Sequence, residues 1–340
     1  MTASQKTTPL SRSSTRGRIV NMLMLPLLML AALASCRNRP ATVAMSPAAA
    51  ELTSAEEGTP TVALTFDDLP AHGALPRKLS RVEIARSIIR ALQDGAAPPI
   101  YGFVNGKRME EDPGSAQVLG LWRNAGFPLG NHTFSHLDLD TNSVDAFEQE
   151  ILANETPLRT YMGGEDWHWL RFPFLHEGNT PEKYHAVRTF LQERGYKVAE
   201  VTLSFGDYAY NDPYARCLAK NDTQAIEWLK QTYIDGATEE LSRGREMAKK
   251  IFGHDVRQIM LLHIGGFETV MLPRLLDLLK QRGFKLITLP EAESDPVYAI
   301  EPIVQSNFSG TFLEQMMAAR HIPEPPRSQD PFTKLDALCR

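Results

Sequence analysis

Thr61-Val62-Ala63-Leu64-Thr65-Phe66-Asp67-Asp68 is an apolar run that ends abruptly in two adjacent carboxylates. It reads as a buried strand with a polar tip. Six further runs of this kind follow, at Ile100–Val104, Pro128–Asn131, Trp169–Phe174, Lys197–Phe205, Gln258–His263 and Lys285–Leu289. The segments between them carry helical periodicity. Ile84, Ile88, Ile89 and Leu92 form one apolar stripe, and Val118, Leu119 and Trp122 form part of another. Val187, Phe190 and Leu191 precede the stop signal Arg194-Gly195, and Leu272, Leu275, Leu276 and Leu279 precede Arg282-Gly283. The stretch 221–252 is long for one helix, and Gly236 is expected to divide it.

Seven strands alternating with helices predict a parallel α/β sheet with helices outside it. A body of roughly 230 residues is near the size of a (β/α) barrel, and a doubly wound open sheet fits the same alternation. Polar positions choose between them. Asp67-Asp68, Asn131-His132, Arg171 to Phe174, Asp207 and His263 each fall at or just after the C-terminal end of an expected strand. A barrel brings those ends to one face, whereas an open sheet spreads them along an edge. The expectation is a barrel of seven strands over residues 61–290, followed by an irregular, proline-rich extension over 291–340 with one short helix near Thr311–Arg320.

The ends suggest export. Lys6, Arg12, Arg16 and Arg18 precede an apolar segment, Ile19 to Ala34, that is short for a membrane span. It closes on Leu33-Ala34-Ser35-Cys36, which resembles the lipobox of bacterial lipoproteins. That resemblance implies cleavage before Cys36, lipid attachment there, and a place in the bacterial cell envelope. Residues 37–60 then read as a flexible tether. Beyond residue 36 the chain holds 32 basic against 41 acidic residues, a formal charge of −9, which argues against nucleic acid as the main partner. Two cysteines remain. In an oxidising compartment, Cys217 and Cys339 are expected to form a bridge that staples the C-terminal tail; two buried thiols are the alternative.

His132 and His136 are four residues apart, so on a helical turn both imidazoles face one side. With one carboxylate they make a set able to hold a divalent metal and leave positions open. Two carboxylates at a strand tip repel unless a cation shares them; a solvated turn or a helix cap is the other reading of Asp67-Asp68. Taken together, the residues point to metal-assisted hydrolysis.

Thr65-Phe66-Asp67-Asp68, His132-Thr133-Phe134-Ser135-His136, Arg171-Phe172-Pro173-Phe174, the Asp207-Tyr208 region and Leu262-His263 stand in the order of the five motifs of the polysaccharide deacetylases. Residues 60–290 resemble this family, carbohydrate esterase family 4 or the NodB-homology group. The resemblance implies a deformed (β/α) barrel and removal of acetyl groups, N-linked or O-linked, from a glycan. It implies that Asp68, His132 and His136 hold the metal, usually zinc, with cobalt, nickel or manganese as substitutes. Asp67 would take a proton from the attacking water, and Arg171 would hold it ionised. His263 would give a proton to the leaving amine, and Asp207 would orient that histidine. A backbone N–H near Phe174 would stabilise the oxyanion. Where the family has tryptophan in its fourth motif, this chain offers Tyr208 and Tyr210, and Phe174 stands where tyrosine is frequent. His72, His168, His185, His254 and His321 are expected to be structural or on the surface. The partners implied are an acetylated glycan and, through Cys36, a membrane, with the chain a monomer. Two other classes compete: a non-haem iron enzyme with the same ligand set, and a glycan-binding lipoprotein that needs neither acid nor base.

Overall fold

The computed structural model describes residues 58–302, 310–328 and 330–340. The leader, Cys36 and most of the expected tether lie outside the described residues. None of the described helices is long and apolar enough to cross a membrane.

Seven strands form one sheet: β1 (Thr61–Leu69), β2 (Tyr101–Val104), β3 (Leu129–Asn131), β4 (Trp169–Leu170), β5 (Lys197–Val198), β6 (Gln258–His263) and β7 (Lys285–Ile287). Every pairing is parallel, in the order β5-β4-β3-β2-β1-β6. β7 pairs with the first half of β1, on the edge that β2 occupies over the second half. The chain beyond β5 closes the ring. Ala199 N–H donates to the Leu170 carbonyl of β4 at 2.8 Å, and Thr202 and Leu203 N–H both donate to Ile259 of β6 at 2.9 and 3.0 Å. Leu261 N–H returns a bond to the Leu203 carbonyl at 3.0 Å. The result is the deformed (β/α) barrel.

Alternation along the strands explains the burial. Val62, Leu64 and Phe66 of β1 point outward, into a core shared with Ile84, Ile88 and Trp122 of the surrounding helices. Ala63 points inward, among Tyr101, Phe103, Trp169, Ala199 and Ile259. Because successive side chains take opposite faces, Thr65 and Asp67 follow Ala63 into the interior. By the same parity His263 follows Ile259 and Leu261, and Asp67 pairs in register with His263. Both faces of these strands are covered, so the runs read as continuously apolar.

Several elements differ from expectation. β3, β4 and β5 are shorter than the apolar runs that announce them. After β4, Pro173 lacks an N–H for the ladder, and Phe174 turns with φ 59°. After β5, one segment crosses from β4 to β6 and pairs regularly with neither. Gly236 does not break its helix, which runs unbroken over Thr223–Phe252. A glycine costs about 1 kcal/mol in a helix, less than the gain from burying Ile226, Leu229, Tyr233, Leu241, Met247 and Ile251 on one face. Gly244 in the same helix allows close approach to the ring-closing segment, since a Cβ there would stand 2.2 Å from Leu203.

The extension is more regular than its prolines suggest. Helix Leu289–Glu293 leads into it, and it contains helices Phe312–Ala319 and Phe332–Ala337. Phe312, Leu313, Met316 and Met317 pack with Met247, Ile251 and Val297 in a separate small core. Cys217 and Cys339 are joined as a disulfide.

Candidate active site

The strand ends converge on a cleft of about 460 Å³. Asp67, Asp68, His132, His136, Phe174, Tyr208 and His263 all line it, together with His72 and His176. Arg171 and Asp207 sit behind them, fully buried.

Adjacent strand residues diverge, yet both aspartates reach this cavity because Asp68 takes φ 64°. Its left-handed backbone turns the side chain back toward the side Asp67 already faces. Thr133 (φ 60°), His136 (φ 63°), Phe174 and Leu175 share that conformation. His132 and His136 therefore do not meet on a helical turn. They meet in a loop braced by its neighbours, their ring centroids 4.8 Å apart. Asn105 Nδ2 donates to the His132 and Thr133 carbonyls, and Asn131 Oδ1 accepts from Thr133 N–H.

Arg171 is buried with all its donors engaged. Nη1 lies 3.1 and 3.3 Å from the two oxygens of Asp67. Nη2 donates to Thr65 Oγ1 and the Glu200 carbonyl, and Nε donates to the Ala199 carbonyl. Its guanidinium lies 4.7 Å over the Phe103 ring. Its backbone carbonyl accepts from His132 Nδ1 at 2.8 Å, which leaves Nε2 of that ring bare toward the cleft.

Asp68 Oδ1 is buried without a hydrogen-bond partner. Nε2 of His132 and Nε2 of His136 each stand 3.6 Å from it. Such separations suit a tetrahedral ion bonded at about 2 Å to each. Burial pushes both imidazoles down to about 4, so at neutral pH they are uncharged, as ligands must be. Burial alone would raise Asp68, but the hydrogen bond from His72 and the surrounding imidazoles outweigh it and hold the carboxyl well below its usual range. The set fits a divalent metal, and the fit rests on a buried oxygen that no protein group satisfies.

Asp67, next in sequence, behaves differently. Burial raises it to about 6 against the pull of Arg171. His263 moves the opposite way: burial would lower it, but Asp207 lifts it to about 9. Asp207 Oδ1 holds His263 Nδ1 at 2.9 Å, and its Oδ2 accepts the His263 backbone N–H at 2.6 Å. Nε2 is thereby left for the cleft.

His72 was not expected here. Its Nδ1 lies 2.6 Å from Asp68 Oδ2, which leaves Oδ1 as the oxygen facing the imidazoles. The four-residue offset from Asp68 is the signal that sequence reading passed over. His176 lies near a second group: its Nδ1 is 2.8 Å from Asp138 Oδ1, with Asp140 close by. Lys183 Nζ donates to the Leu139 and Asp140 carbonyls, so hydrogen bonding within this cluster accounts for it as a brace for the Phe174 loop.

Residues 54–199 match the polysaccharide deacetylase family model. That segment carries Asp67, Asp68, His132, His136, Arg171 and Phe174; Asp207, Tyr208 and His263 lie beyond it. Two curated proteins of Arthroderma benhamiae align over 236 residues, 69% of this chain. One is named a probable peptidoglycan-N-acetylglucosamine deacetylase (25% identical, 44% of its length covered), the other a chitin deacetylase (24%, 52% covered). The chain thus spans about half the length of the curated relatives it matches. Among solved structures, the chitin deacetylase of Colletotrichum lindemuthianum is similar with a TM-score of 0.48 and 22% identity, over 69% of this chain and 88% of that one.

Removing the guanidinium tests the interior pair. Arg171→Met should destabilise the fold by about 3–5 kcal/mol, because it strands Asp67 as an uncompensated buried charge. Asp67→Asn in that background should restore part of the loss. Equilibrium denaturation of the wild type and the two variants measures both effects, and a double variant as weak as the single one would contradict the pairing.

Proposed function

We propose that this chain is a metal-dependent hydrolase that removes acetyl groups, most simply N-acetyl, from an envelope or extracellular polysaccharide. The observation that carries the reading is the partnerless Asp68 Oδ1 between two bare imidazole nitrogens, flanked by one raised carboxyl and one raised histidine. A binding protein needs no such acid and base. The deacetylase family match over residues 54–199 supports the same reading.

Asp68, His132 and His136 would hold the metal, zinc in the first instance, with cobalt, nickel or manganese as substitutes. When bound, such an ion supplies a Lewis acid that acidifies water and polarises the substrate carbonyl. Asp67 is placed to take the proton of the attacking water as it adds to the acetamide carbon. Arg171 keeps that carboxylate oriented and ionised. A backbone N–H near Phe174 contributes to the oxyanion site. As the tetrahedral carbon collapses, the C–N bond breaks and His263 Nε2 gives its proton to the departing amine. Asp207 fixes the tautomer that makes this possible.

The leader and Cys36 support a further part of the proposal: an exported, lipid-anchored protein of the bacterial cell envelope, whose domain begins after a tether over residues 37–60. Palmitate labelling that survives Cys36→Ala would contradict the anchor.

The two aspartates should fail differently. Asp68→Asn should lose metal, and His72→Ala should weaken metal affinity by about 10–100-fold. Asp67→Asn should retain metal and lose turnover by at least 10²-fold. Zinc competition with a chromophoric chelator reads the first two, and acetate release reads the third. Turnover persisting in Asp67→Asn would overturn the mechanism.

The pH profile follows from the same pair. A base raised to about 6 must be ionised, and an acid raised to about 9 must stay protonated. Activity should therefore rise as pH passes the first value and fall as it passes the second, with a bound cation moving both limbs to lower pH. Asp207→Asn removes the charge that lifts His263, so its alkaline limb should move down. An unmoved limb would reassign the acid.

A further inference from the structure

Five large apolar side chains are exposed among the described residues, and three of them are aromatic rings at or beside the cleft mouth: Phe174 (56%), Tyr208 (49%) and Phe332 (40%). Phe174 and Tyr208 line the cleft itself. Phe332 comes from the far end of the chain, in the helix Phe332–Ala337. Its ring lies nearly parallel to that of Tyr208, at 18° and 6.4 Å between centroids. Tyr208 in turn stands 5.5 Å from the ring of His263. The two aromatic faces thus lead outward from the acid histidine.

The position of Phe332 is built rather than incidental. Leu335 buries the apolar side of the helix and leaves Phe332 at the surface. Arg216 caps the helix end, donating to the Leu335, Asp336 and Leu338 carbonyls at 3.0, 3.2 and 3.0 Å. The Cys217–Cys339 disulfide fixes the segment to the body. Lys334 Nζ lies 3.8 Å over the Trp228 ring. Gly206, immediately before Asp207, has φ 73°, and a Cβ there would stand 2.5 Å from the Phe332 ring. The ring therefore packs against the backbone of the loop that carries Asp207. An exposed aromatic ring held this firmly beside a polar cleft suits a ligand with alternating apolar and polar faces.

We infer that the C-terminal segment supplies a glycan subsite, in which Phe332 extends the Tyr208 face into a platform for the sugar ring next to the one being deacetylated. This rests on the deacetylase reading and deepens it: the substrate is an oligosaccharide or polymer, engaged over more than one unit. The C–H face of a pyranose packs on an aromatic ring while its hydroxyls stay in water, so the platform adds affinity without desolvating them.

The test is acetate release from β-1,4-linked N-acetylglucosamine oligomers of two to five units. Wild-type KM should fall with length. Phe332→Ala should raise the KM for the pentamer about five- to tenfold and flatten the dependence on length. Phe332→Tyr should restore it. Phe332→Leu keeps apolar contact with Gly206 but not the ring face, and should fail as alanine does, which separates stacking from packing. A Phe332→Leu protein that keeps the wild-type dependence on length overturns the subsite alone. A wild-type protein that neither binds nor deacetylates any oligomer overturns the deacetylase reading and the subsite together.

Discussion

A guanidinium enclosed in a barrel must have every donor answered, because an uncompensated buried charge costs several kcal/mol. Arg171 meets that demand with groups from two directions. Thr65 and Asp67 come from β1, and the Ala199 and Glu200 carbonyls come from the segment that closes the ring. Its own carbonyl sets the orientation of His132. One residue therefore couples barrel closure, the orientation of the carboxylate and the direction of an imidazole. Displacing β1 or the closing segment leaves the guanidinium short of a partner, and displacing His132 leaves the Arg171 carbonyl short of one.

Two neighbouring carboxylates with opposite shifts follow from this arrangement. Burial raises Asp67 against the pull of the guanidinium, while the His72 hydrogen bond and the surrounding imidazoles outweigh burial at Asp68 and lower it. The histidines divide likewise: burial keeps His132 and His136 neutral, and Asp207 lifts His263. Environments that push like groups apart are what acid–base chemistry at one pH requires. Half of the ten non-glycine residues with left-handed backbone among the described residues lie in the loops that aim these side chains. Each costs of order 1–3 kcal/mol, held in place by the scaffold around it.

Much of this was legible in the chain. Parity along β1 places Thr65 and Asp67 inside with Ala63, and the same count places His263. The five motif positions fall at strand ends, and a barrel gathers such ends. Helix continuity through Gly236 was not legible, because burial on the far face outweighs a local breaker. Nor was the loop of His132 and His136: four-residue spacing suits a helix, but here side-chain braces from Asn105 and Asn131 impose the geometry.

The sequence by itself determined the strand alternation, the polar strand tips and the residue types available for chemistry, since these depend on local period and composition. Tertiary structure alone decided which oxygen of Asp68 faces His132 and His136, that Arg171 reaches Asp67, and that Phe332 lies against Gly206. Those outcomes depend on contacts between residues far apart in the chain, 104 positions in the case of Asp67 and Arg171. No local pattern encodes such distances; they appear only when the closed ring and the tethered C-terminal helix bring the segments together.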